Sequence, residues 1–144
     1  MPNKEDRKPV GFLLERTTRL VKLQFHKAFK VLEVDMTPEQ WVLLDALYQN
    51  NNQAQKDLGD KSYKNAATIS RILDVLAKKE WITREMSTED RRVFIISLTA
   101  KGKKTVQKVQ PTVDGLRAKG WEDLSKKDYN DFTRIMNQIL QNYS

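Results

Sequence analysis

Asn65-Ala66-Ala67-Thr68-Ile69-Ser70-Arg71-Ile72-Leu73-Asp74-Val75-Leu76-Ala77-Lys78-Lys79 runs into Trp81-Ile82-Thr83-Arg84-Glu85-Met86, then Ser87-Thr88-Glu89-Asp90-Arg91-Arg92, then Val93-Phe94-Ile95-Ile96-Ser97-Leu98. The fold turns on this stretch. Asn65 is a helix N-cap, and Ile69, Ile72, Leu73 and Leu76 recur at the spacing of one helical face, which predicts a helix to about Lys79. Its other face carries Thr68, Arg71, Lys78 and Lys79, with Ser70 near the edge. The runs 81–86 and 93–98 are rich in β-branched and aromatic residues and read as strands. The polar hexapeptide between them suits a hairpin tip.

Working outward, residues 53–60 read as a short helix and 61–64 as a tight turn. Two short helices joined in this way, the second polar and basic outside, are a helix-turn-helix pattern. A hairpin directly behind it makes a winged helix. Further upstream, Thr37-Pro38-Glu39-Gln40 combines a capping hydroxyl, proline at the first helical position and a glutamine closing the box. Trp41, Leu44 and Leu47 follow on one face. Residues 10–34 carry Phe12, Leu13, Leu14, Leu20, Val21, Phe25, Phe29 and Leu32 and predict a long first helix. Downstream, Thr99 caps a fifth helix, which Pro111 should kink or end. Ser125 with Asp128 starts a last one, striped by Phe132, Ile135, Met136, Ile139 and Leu140. The expected class is mainly α (α+β): a winged helix-turn-helix lobe at 37–104, flanked by dimerisation helices at 1–36 and 105–144.

Composition narrows the function classes. The chain has 144 residues, no cysteine and one histidine, His26. Disulfides, thiolate sites, cysteine redox sensing and a multi-histidine metal site are excluded, so no metal or cofactor is expected. No apolar segment is long enough to span a membrane, and the polar N-terminus carries no signal-peptide pattern; the expected location is the cytoplasm. The net charge is +7. Of this, +5 falls within residues 51–104, where twelve Lys/Arg face seven Asp/Glu. Positive charge gathered on one part of a protein suits a polyanionic partner. An enzyme would need a nucleophile, metal cluster or paired acid and base, and the residues offer none.

A helix fits the major groove of duplex DNA, where base edges are readable by small or polar side chains on its first turns. Lys64, Asn65, Ala66, Ala67, Thr68 and Arg71 meet that description. Arg71 is the leading candidate, because a guanidinium can pair bidentately with guanine or clamp a phosphate. The wing suits the narrow, negative minor groove. There Asp90 can hold one arginine extended, leaving the other for a phosphate.

From about Thr37 to Gly102 the chain resembles the MarR family of transcriptional regulators. The resemblance rests on Gln55-Lys56-Asp57-Leu58, Thr68-Ile69-Ser70-Arg71-Ile72-Leu73-Asp74, Leu76-Ala77-Lys78-Lys79-Glu80-Trp81-Ile82, Asp90-Arg91-Arg92 and Leu98-Thr99-Ala100-Lys101-Gly102. It implies a homodimer, joined through the first, fifth and sixth helices, on a pseudo-palindromic operator, with repression as the expected outcome. It also implies that the outer pair of the wing triplet matters most, making Asp90 the orienting carboxylate, Arg92 the minor-groove arginine and Arg91 a phosphate contact. Lys56, Tyr63, Ser70 and Arg84 complete the expected DNA-binding set. Tyr63 either meets a phosphate or plugs the turn. Relatives that bind small aromatic or anionic effectors do so between the dimer helices and the winged lobe, which makes His26, Phe29 and Trp41 candidates here. The rival reading is a winged helix used for protein contacts alone, and salt dependence of binding separates the two.

Overall fold

The computed structural model describes residues 10–62 and 65–144; Tyr63 and Lys64 lie outside the described residues. The elements in chain order are α1 (Val10–Val31), α2 (Pro38–Gln49), β1 (Gln53–Ala54), α3 (Gln55–Ser62), α4 (Ala66–Lys78), β2 (Ile82–Met86), β3 (Phe94–Leu98), α5 (Ala100–Gly120) and α6 (Lys126–Tyr143). The chain forms two compact units, Met1–Pro111 and Thr112–Ser144.

In the first unit the predicted caps close as the residues require. The Thr37 hydroxyl accepts from the Gln40 amide at 3.1 Å, and the Gln40 side chain accepts from the Thr37 amide at 3.1 Å. Asn65 caps α4, accepting from the Thr68 amide at 2.8 Å. α4 then turns Ile69, Leu73 and Leu76 inward, into a core that also holds Trp41, Leu43, Leu44 and Leu47 of α2, Leu58 of α3 and Ile96 of β3, all buried. Each such side chain contributes about 1.5–3 kcal/mol by leaving water.

The sheet is antiparallel, in the order β1-β3-β2. β2 and β3 form the hairpin, with Arg84 opposite Ile96 and Met86 opposite Phe94.

Two boundaries differ from the sequence reading, and two others bear on it. α1 stops at Val31, because Glu33 takes a left-handed conformation (φ 56°) and the Val34 amide donates back to the Phe29 carbonyl at 3.0 Å. This is a Schellman-type end with glutamate where glycine is usual. α4 ends in the same way, with Glu80 at φ 60° and the Trp81 amide bonded to the Leu76 carbonyl. Gln53 and Ala54, read as helix, instead pair with Ile96 and Ile95 as a third strand. The buried Gln53 amide donates to the Ala46 carbonyl at 3.1 Å, which fixes the residue outside the helix. Pro111 does not end α5, which continues to Gly120.

The second unit holds the end of α5 and all of α6. Ser125 and Asp128 form the expected capping box. Trp121 meets Tyr129 and Phe132 edge-on, with ring centroids 4.8 and 5.7 Å apart. Phe132, Ile135, Ile139 and Leu140 are exposed along α6, as are Phe12, Leu13, Leu20 and Val21 along α1 in the first unit.

Candidate nucleic-acid interface

The N-terminal turn of α4 presents its reading face to solvent. Ala66, Ala67 and Arg71 are exposed, and Thr68 and Ser70 are half-buried. Because the Asn65 oxygen is taken by the cap, its side chain keeps only the amide donors for a base edge. Arg71 lies along the helix, with Nε donating to the Ala67 carbonyl at 3.4 Å, a long and easily surrendered bond. Lys79, at the other end of α4, is committed elsewhere: it pairs with Asp35 at 3.3 Å and sits 4.9 Å over the Trp81 ring.

The wing tip is built from bonds that close within a few residues. The Ser87 hydroxyl accepts from the Glu89 amide at 3.2 Å and the Asp90 amide at 3.4 Å. The Ser87 amide donates to the Val93 carbonyl at 2.8 Å, closing the loop. Asp90 then accepts three bonds from one residue: the Arg92 amide at 3.0 Å, Nε at 3.1 Å and Nη2 at 3.2 Å. These bonds, the side-chain pair first and the backbone amide second, hold the Asp90 carboxyl below its usual range. The guanidinium is therefore gripped along one edge while its side chain remains 90% exposed. An exposed arginine held by one edge at a hairpin tip has the form a minor groove accepts. Arg91 is exposed beside it.

A cleft of about 370 Å³ joins these parts, lined by Gln55, Lys56, Gly59 and Asp60 of α3, Ala66 and Ile69 of α4, and Arg92, Val93 and Phe94 of the wing. The structure thus brings Lys56, the start of α4 and Arg92 onto one face.

The family profile described as MarR family matches residues 36–94, the span from the turn before α2 to the start of β3. The uncharacterized HTH-type transcriptional regulator YdcH of Bacillus subtilis is 30% identical over 135 residues, covering 91% of this chain and 89% of that protein. This chain belongs to the MarR family. The HTH-type transcriptional regulator MhqR of the same organism is 33% identical over 67 residues, 46% of either chain. Among solved structures, the S. aureus MepR–DNA complex superposes with a TM-score of 0.84 at 23% identity, covering 92% of this chain and 97% of that one. That likeness concerns the fold.

Two groups of expected MarR-family site residues are placed differently from one another. Arg84 is turned inward, its side chain only 21% exposed. It pairs with Asp74 of α4, donates from Nη2 to Gln55 of α3 at 2.9 Å, and lies 5.6 Å from the Phe94 ring centroid. Of the effector candidates, Phe29 and Trp41 are core residues at 1% and 2% exposure, so a ligand reaches them only where the packing opens. His26 is exposed and lines a separate cavity of about 460 Å³ with Lys30, Glu33, Val34, Asp35 and Met36. The three do not share one site. Sequence reasoning missed Ser87, Gln55 and Asp74 as the groups that hold the interface in shape. Only Ser87 carried a signal, the Ser-x-x-Asp spacing of a hydroxyl-capped turn.

Among the described residues no helix is long and apolar enough to cross a membrane, and no group of three or more His, Asp and Glu is placed to hold a metal.

Proposed function

We propose that this chain is a cytoplasmic transcriptional regulator, acting as a repressor, that binds a pseudo-palindromic operator as a homodimer. The observation that carries the reading is the Asp90–Arg92 pair, which holds an exposed guanidinium at the wing tip beside the open first turn of α4. Arg92 enters the minor groove. Arg71, Thr68 and Asn65, with Ala67 as a methyl contact, read the major groove, and Ser70 lies at the edge of that face. Lys64 adjoins that reading set, Lys56 and Arg91 meet the backbone, and Tyr63 either meets a phosphate or plugs the turn. Residues 37–104 form the DNA-binding lobe, and 1–36 with 105–144 form the dimerisation region. The apolar rows of α1 and α6 support that division, because exposed rows of this kind ordinarily meet a partner. A small aromatic or anionic effector acts beside His26, in a cavity that Lys30, Glu33 and Asp35 also line; Phe29 and Trp41 respond through the core rather than from the surface. None of these roles asks for a catalytic group.

Selecting bound duplexes from a random pool tests the reading. Inverted repeats with half-site centres about 10–10.5 base pairs apart are expected, with affinity that falls steeply as salt rises. A pool that shows no enrichment, or binding indifferent to salt, refutes it.

A further inference from the structure

We propose that Arg84 sets the angle between the recognition helix and the wing, as a positioning residue rather than a DNA contact; the inference rests on the DNA-binding reading above. Arg84 sits mid-strand in β2, opposite Ile96 of β3. From there one guanidinium engages three other elements: Asp74 on α4, Gln55 at the start of α3, and the face of Phe94 at the start of β3. An arginine fork fixes direction at each edge and stacks through its plane, so these three contacts define an orientation. A lysine ammonium in the same place supplies charge without direction.

The geometry explains why orientation matters. The tip, Asp90, lies six residues beyond Arg84, up to about 20 Å along the hairpin at strand rise. A swing of roughly 10° at the Arg84 junction then displaces Arg92 by about 3.5 Å, close to the 3.4 Å rise of one base pair. The wing bonds of Ser87 and Asp90 are local and travel with the tip. They keep the tip's shape and leave its direction unset. The ties across α3, α4 and the hairpin at Arg84 set it. Two readers that must enter adjacent grooves together need that angle held, and Arg84 is the side chain placed to hold it.

The test uses the full-length dimer and the duplex that the wild-type protein selects from random sequence. Arg84→Lys and Arg84→Gln, with Asp74→Asn as a second route to the same junction, should each lose tenfold or more in affinity for that duplex. Affinity for unrelated duplex should stay within about twofold. Fresh selections with the variants should broaden the spacing between the major-groove and minor-groove positions by about one base pair. Mere destabilisation would not produce that change. The Arg84→Gln/Asp74→Asn double variant should lose no more than the worse single. The salt slope of Arg84→Gln should match wild type. A slope lower by about 1.8, the value for two phosphates lost per dimer, would make Arg84 a DNA contact and overturn the inference. Unchanged spacing preference in all three variants overturns it too. A wild-type protein that selects no duplex overturns the proposed function and this inference together; a wild type that selects one leaves the Arg84 outcomes to be judged separately.

Discussion

Replacing Gly102 with alanine would put a Cβ 2.0 Å from the Trp81 carbonyl oxygen, 2.9 Å from its carbon and 3.1 Å from the Trp81 Cα. All three are backbone atoms, so no rotamer change can relieve the contact. The oxygen must retreat by about 1.4 Å to reach ordinary van der Waals distance. That oxygen also accepts from the Thr99 amide at 3.0 Å, and the Thr99 hydroxyl donates to the Glu80 carbonyl at 2.6 Å while accepting from the Gly102 amide at 2.9 Å. The retreat therefore strains the latch that joins the start of α5 to the end of α4. Overpacking of this kind costs about 1–3 kcal/mol, and a weakened buried hydrogen bond adds about 1 kcal/mol. Alanine's better helix propensity returns about 1 kcal/mol. The expected net loss is about 1–3 kcal/mol, read as a lower urea midpoint at fixed protein concentration. Gly115 supplies the control in the same helix: nothing lies within 4 Å of its added Cβ, so Gly115→Ala should raise stability by about 0.5–1 kcal/mol. The two substitutions are chemically identical and should move the midpoint in opposite directions. A Gly102→Ala protein as stable as wild type would refute the close approach.

Three further outcomes are expected. Arg91→Ala should lower the slope of log affinity against log salt by about 1.8 for the dimer, at about 0.9 per phosphate, as measured by fluorescence anisotropy across a salt series; an unchanged slope removes the phosphate role. The Asp90 carboxyl, held down by Arg92, should titrate below the ordinary value of about 3.9 by NMR. The stability from the pair is then fully present above that ordinary value and lost only as pH falls through the lowered one, so this group should leave DNA affinity flat from pH 5 to 8; a midpoint at or above the ordinary value sinks the pairing. Ile135→Glu places a charge in the exposed apolar row of α6 and should shift sedimentation toward monomer; an unchanged dimer argues against α6 as interface.

What the sequence revealed follows from how far each interaction reaches along the chain. The caps at Thr37, Asn65 and Ser125 and the Asp90–Arg92 pair each close within three residues, so residue type and spacing announce them. β1 has two residues and finds its partners, Ile95 and Ile96, some forty positions away, beyond any local period. The end of α1 was blurred because Glu33 stands where glycine would mark the left-handed turn. Phe29 and Trp41 show the limit for ligands: an aromatic at helical spacing reads the same whether it lines a pocket or fills a core. Arg84 shows it for DNA. Its partners lie ten and twenty-nine residues away, so no local pattern tells a basic wing-strand residue that ties elements together from one that faces outward.

That difference in reach also divides the labour of recognition. A carboxylate near phosphates repels them, so in the proposed complex Asp90 is useful through its three bonds to Arg92, which hold the guanidinium in place before DNA arrives. The tip therefore carries its own preorganisation, and substitution elsewhere in the lobe should leave its internal geometry intact. On the proposed role of Arg84, where the tip points is a separate matter, set by contacts between elements remote in sequence. Loss of Arg92 should weaken binding to every A·T-rich minor groove alike, because a narrow groove is read as shape. Loss of the Arg84 junction should spare such binding and erode the choice of site. Affinity that depends on local bonds and selectivity that depends on distant ones can then be altered separately, and comparing the two substitutions on operator and unrelated duplex measures how far they separate.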